Sequence, residues 1–153
     1  MTAIKNLFGN YFIIAPATAW FTAQIIKVFT GMFKKRKFNL ITLLFSNGGM
    51  PSSHSAAVCA LAAGSVIRFG VASFECAICG IFAVIVMMDA SGVRYETGEQ
   101  AKIINKITKE LFSGKTEDIN TGLKELVGHT PFQVLMGALL GIAVGILLSF
   151  VMH

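Results

Sequence analysis

Four apolar stretches, each approaching the roughly 20 residues needed to cross a bilayer, dominate this chain. They run over about residues 11–33, 53–69, 71–88 and 131–152, and polar, charge-bearing segments separate them. The chain has 153 residues, of which 54% are hydrophobic and 14% charged. A soluble domain carries about 25% charged residues, so this chain cannot clothe a water-facing surface. The reading is an all-α integral membrane helical bundle: one domain over 1–153 with about four spanning helices. The second span, alanine-rich, is the shortest. The piece "FNLITLLFS", 38–46, is too short to span and reads as re-entrant or interfacial. In "EQAKIINKITKELF", Ile103, Ile104, Ile107, Leu111 and Phe112 recur at helical spacing and predict an amphipathic helix. "SGKTEDINTG", 113–122, reads as a solvent loop. The first apolar stretch is too long for a cleavable signal peptide and lacks a small-x-small exit.

Of 13 Lys and Arg residues, four spans would place only Lys5 and Arg68 on one side. Lys27, Lys34, Lys35, Arg36, Lys37, Arg94, Lys102, Lys106, Lys109, Lys115 and Lys124 share the other. The positive-inside rule makes that side cytoplasmic and puts both termini outside, as for a plasma-membrane protein. The net charge of +5 is spread between apolar spans, which excludes nucleic acid as the partner and favours anionic lipid headgroups or a phosphorylated substrate. Cys59, Cys76 and Cys79 lie within apolar segments and read as packing residues. Gly137, Gly141 and Gly145 form a small-xxx-small stripe that suits close packing within the chain or a homodimer.

The stretch "GGMPSSHSAAVCAL", 48–61, opens an apolar helix with hydroxyls and an imidazole. Helix N-termini expose backbone N–H groups and favour anions, and Ser52, Ser53 and Ser55 can cap those donors or share them with a phosphate. The span count brings Lys27, His54, Asp89, Arg94 and His129 to one membrane face. Either histidine alone reads as a helix-edge structural residue; two on one face, each before a span, read as a titratable cluster. Lys27 and Arg94 would neutralise phosphate oxygens, one histidine would attack phosphorus, and the other would protonate the leaving oxygen. Lys27 and Arg94 also read as snorkelling residues, and Asp89 as a partner for Arg94. Gln24 and Gln100 are supporting candidates.

"PSSHS", 51–55, resembles the Pro-Ser-Gly-His signature of the type 2 phosphatidic acid phosphatase and vanadium haloperoxidase superfamily. "HTPFQVLMGALLG", 129–141, is similar to its third signature, His-x-x-x-Asp before a Gly-spaced helix. "GGMPSSHSA", "DASGVR" followed by "GEQA", and "LKELVGHTPFQV" resemble, in that order, the divergent branch described as acid phosphatase/vanadium-dependent haloperoxidase-related. The resemblance implies a lipid-phosphate phosphatase or phosphotransferase that works through a phosphohistidine and without metal or other cofactor. It gives His129 the nucleophile role, His54 the acid role, and Ser53 with nearby N–H groups a phosphate contact. Catalytic His129, His54 and Asp89, and substrate-binding Lys27, Ser52, Ser53, Arg94, Gln133 and Gln100, form the expected site. Ser53 stands where the superfamily has Gly, Gln133 where it has the orienting Asp, and Leu123 at the Arg place. Lys27 is followed by Lys34, with no proline, where the first signature has Lys-x6-Arg-Pro. Asp89 or Glu125 would then supply the missing charge, and Arg94 the missing guanidinium. The alternatives are a non-catalytic lipid-phosphate binder or carrier, and a small membrane scaffold.

Overall fold

In the computed structural model, which describes residues 9–34, 49–112 and 129–152, all regular structure is helical. The helices are α1 (Tyr11–Lys34), α2 (Ser53–Phe69), α3 (Phe74–Ser91), α4 (Val93–Phe112) and α5 (Pro131–Val151). The expected interfacial piece at 38–46 and the loop at 113–122 lie outside the described residues. Local chemistry sets the helix starts. Ser52 caps α2 by accepting from the Ser55 N–H, and Ser73 caps α3 by accepting from that of Cys76. At α5, Thr130 and Gln133 form a reciprocal capping box, with Pro131 in the first turn where a missing N–H costs nothing.

Two boundaries differ from expectation. The third span begins at Phe74 rather than near 71, because Gly70, at φ 82°, ends α2 in a left-handed turn that runs to the Ser73 cap. The amphipathic helix begins at Val93, only Gly92 separating it from α3.

α2 is the hub. It packs against α1, α3 and α5, whereas α4, among the described residues, packs only on α3. Small residues allow the close approach. Ala19 and Ala23 of α1 meet Ala56 and Ala60 of α2, with Leu140 and Val144 of α5 closing the cluster. On the other flank Val58 and Cys59 cluster with Ala83 of α3. The glycine stripe of α5 faces the α2 backbone. A Cβ at Gly141 would run into the backbone of Ala56, and one at Gly145 would lie 2.9 Å from the Ala60 carbonyl oxygen. The stripe therefore serves packing within the chain.

The outside of the bundle is apolar. Phe21, Ile25, Ile81, Phe82, Leu139 and Leu147 are among its exposed side chains, a lipid-facing surface rather than a water-facing one. Three candidate spans are long and apolar enough to cross a membrane: Tyr11–Thr30, Phe74–Thr108 (α3 continued into α4) and Pro131–Val151. At 17 residues α2 is shorter, about 25 Å, and is wrapped by the others. This is an all-α membrane bundle. Alternating helix direction gathers the end of α1, the start of α2, the end of α3 and the start of α5 at one face.

Candidate functional site at the shared helix ends

Hydrogen bonds tie these four ends together. Lys27, in the last turns of α1, is 4% exposed, and its Nζ donates to Ser53 Oγ at 3.2 Å. The turn before α2 folds over it: Gly49, at φ 103°, packs on the Lys27 side chain, and Thr30 Oγ1 donates to the Met50 carbonyl. Ser52 is fully buried, and its N–H donates to the Gln133 carbonyl of α5 at 3.0 Å. The end of α3 joins through the His129 N–H, which donates to the Ala90 carbonyl at 3.0 Å.

His129 is 4% exposed, with Nδ1 3.2 Å from Gln133 Oε1. That same oxygen accepts the Thr130 N–H at 3.1 Å. A backbone N–H can only donate, so the atom facing both groups is the amide oxygen, and Nδ1 must carry the hydrogen of the second bond. In a neutral His129 this hydrogen-bond logic places the ring proton on Nδ1. The capping box of α5 doubles as the device that sets the histidine tautomer.

The other expected residues distribute unevenly. Ser53 joins the cluster through Lys27. The Ser52 hydroxyl faces inward and serves the helix, accepting from Ser55 Oγ at 3.0 Å and from the Ser55 N–H. His54 is exposed in the first turn of α2. One turn on, Cys59 Sγ lies 3.7 Å from Met87 Sδ, and antiparallel packing carries the His54 turn to the level of residues 89–91. Asp89 is half-buried, one residue before the carbonyl that holds His129. Arg94 lies in the first turn of α4, with its side chain outside the described set. Gln100 is exposed on α4, a helix that packs only on α3 among the described residues. Gln24 is buried one turn before Lys27 on the same face of α1. Among the described residues, no three His, Cys, Asp or Glu side chains gather closely enough to hold a metal ion.

Sequence reasoning missed Thr130, although T-x-x-Q before an apolar run is a legible capping signal. Gly137, read from the sequence as part of the close-packing stripe, belongs to the site as well: a Cβ there would strike the Ser52 carbonyl, so only glycine lets the start of α2 rest on α5.

Residues 8–144 match the sequence pattern of the Divergent PAP2 family, which spans most of the chain. The chain belongs to that family. A relative, the "Uncharacterized membrane protein YuiD" of Bacillus subtilis (strain 168), is 40% identical over 155 residues, covering 95% of this chain and 98% of its own. No solved structure shows a significant match. The architecture of this family member is a membrane bundle with most of its buried polar residues at one end.

Proposed function

We propose that this Divergent PAP2 protein hydrolyses or transfers the phosphate of a membrane lipid phosphate ester through a phosphohistidine at His129. The observation that carries the reading is the buried pair formed where the end of α1 meets the starts of α2 and α5. Lys27 is a buried ammonium whose only hydrogen-bond partner among the described residues is the Ser53 hydroxyl, and His129 is a buried imidazole with Nδ1 already engaged. A buried cation gains from an anion, and the N-terminus of α2 adds its partial positive charge.

In this reading, Nε2 of His129 attacks phosphorus, the P–O bond to the lipid breaks, and His54 donates a proton to the departing lipid oxygen. Water, deprotonated by His54, then attacks phosphorus. The N–P bond breaks and phosphate leaves. Lys27, Ser53 and Arg94 hold the non-bridging oxygens, and Asp89 polarises the histidine side of the site. The site faces the cytoplasm, with both termini outside, in the plasma membrane; the one-sided distribution of Lys and Arg supports this orientation.

Gln133 favours a second reading, retention of a lipid phosphate without efficient turnover. A neutral amide orients His129 but adds no negative charge to stabilise an imidazolium. Phosphate release from a panel of lipid phosphates by purified protein in detergent decides between the two. Release that disappears in His129→Ala supports the enzyme. Binding of vanadate with no release from any lipid supports the binder.

A further inference from the structure

The opposite end of the bundle holds a second polar arrangement, built from the start of α1 and the ends of α2 and α5. Tyr11 is 6% exposed, and its hydroxyl donates to the Gly145 carbonyl at 2.6 Å. Gly64 makes room for the ring, since a Cβ there would meet it. The Arg68 guanidinium lies over that ring, 5.1 Å from its centroid, and Nη2 donates to the Met152 carbonyl at the end of α5. Phe12 and Phe69 stack beside it, ring centroids 5.2 Å apart and 11° from parallel. These residues, with Gly9, Asn10 and Val151, line a hollow of about 510 Å³.

Arg68 has five N–H donors, of which Met152 takes one; the ring and the carbonyl hold the guanidinium plane in place. A fork immobilised in advance loses little freedom on binding a phosphate. It is the only Lys or Arg at this end among the described residues, and Glu75, the one acidic side chain there, does not line the hollow. Two of the lining residues, Phe69 and Val151, are exposed apolar side chains, and their chain neighbours Val71 and Phe150 are exposed as well. A cationic floor in an aromatic frame, opening onto apolar surface, matches a headgroup with its acyl chains rather than a free anion. We propose that this hollow binds the phosphodiester of a membrane phospholipid in the leaflet opposite the His129 cluster. It is separate from the phosphoryl centre, and either assignment can fail without the other.

Native mass spectrometry of the detergent-solubilised protein, titrated with phosphatidylglycerol, tests the site. Wild type should retain one phosphatidylglycerol, and Arg68→Gln, whose amide can still donate to Met152, should weaken retention roughly tenfold or more. Arg68→Lys should recover only part of it, while Lys106→Gln, on the exposed part of α4, should leave it unchanged. Diacylglycerol should not compete, nor should inorganic phosphate. Unchanged retention in Arg68→Gln, competition by diacylglycerol, or competition by phosphate overturns the proposal. Should Arg68→Gln not fold, a photoactivatable phosphatidylglycerol on wild type gives the answer: cross-links concentrated at residues 9–12, 68–69 and 151–152 support the site, and cross-links spread evenly over the lipid-facing surface refute it.

Discussion

Gln133 holds His129 through a single oxygen, 3.2 Å from Nδ1, that is also committed to the backbone of Thr130. The histidine orienter is thus pinned by the helix cap and cannot swing away. Gln133→Asp keeps the acceptor and adds charge where imidazolium forms. A charged hydrogen bond is about twice as strong as a neutral one, so phosphate release should rise roughly tenfold. Gln133→Leu should abolish release and also lower the thermal midpoint, because both the cap and the histidine lose their acceptor. If Gln133→Asp leaves the rate unchanged while Asp89→Asn removes it, the orienting carboxylate lies on α3.

His129 and His54 act in the same step in the proposed chemistry. Each alanine variant should therefore lose nearly all turnover, and the double variant should be little worse than either single one. Initial rates of phosphate release at saturating lipid measure this. Losses that multiply in the double variant would mean that the two histidines act independently.

Anion binding should be visible without turnover. Phosphate or vanadate that binds only the folded protein raises its thermal midpoint by mass action. Arg94→Ala and Lys27→Gln should remove most of that gain, whereas Lys106→Ala, on the exposed part of α4, should keep it. Equal losses in all three would indicate diffuse surface electrostatics.

Close packing of α5 on α2 predicts a graded glycine series. Gly141→Ala forces a methyl into the backbone of Ala56 and should cost about 2–3 kcal/mol, near the upper end of overpacking penalties. Gly145→Ala, whose nearest atom would be the Ala60 oxygen at 2.9 Å, should cost less. Gly80→Ala meets nothing within 4 Å and should be neutral or slightly stabilising, since alanine is the better helix former. Thermal unfolding in detergent ranks the three.

The alternation of helices and the one-sided distribution of Lys and Arg together predict the sidedness. In a cysteine-free background, Glu96→Cys, on the face of the His129 cluster, should react with impermeant thiol reagents only from the cytoplasm. Val71→Cys, in the turn between α2 and α3, should react only from outside. Labelling of both from one side would break the bundle topology.

Much of this arrangement was legible because it is written in caps and periodicity. Ser52 before an alanine-rich run and Thr130-Pro131 before a long apolar one fix the starts of α2 and α5 to the residue. The turn at 70–73 was hidden because Val71 and Ala72 are as apolar as the helix that follows, so composition extends the span past its true start. The spacing of His129 and Gln133 is one helical turn and could be read directly. Which way Ser52 and His54 face could not be read, since neighbouring residues on a helix point about 100° apart and only the partners of α2 decide what is inside. Nor could the partner of the glycine stripe. A close-packing face has the same sequence whether a second copy or a neighbouring helix fills it.

Because α2 is covered by α5, the order of synthesis matters. When α2 leaves the ribosome, its small and polar face, with Ser52, Ser55 and Ser65, has no α5 to meet. That face must wait in the membrane, or in the insertion machinery, until more than 60 further residues are made. His129 and its orienting amide arrive with the same late helix, so a chain interrupted before α5 has neither a sealed core nor the His129–Gln133 pair. Completion of the fold and assembly of the buried polar cluster are therefore a single event in the protein's biogenesis.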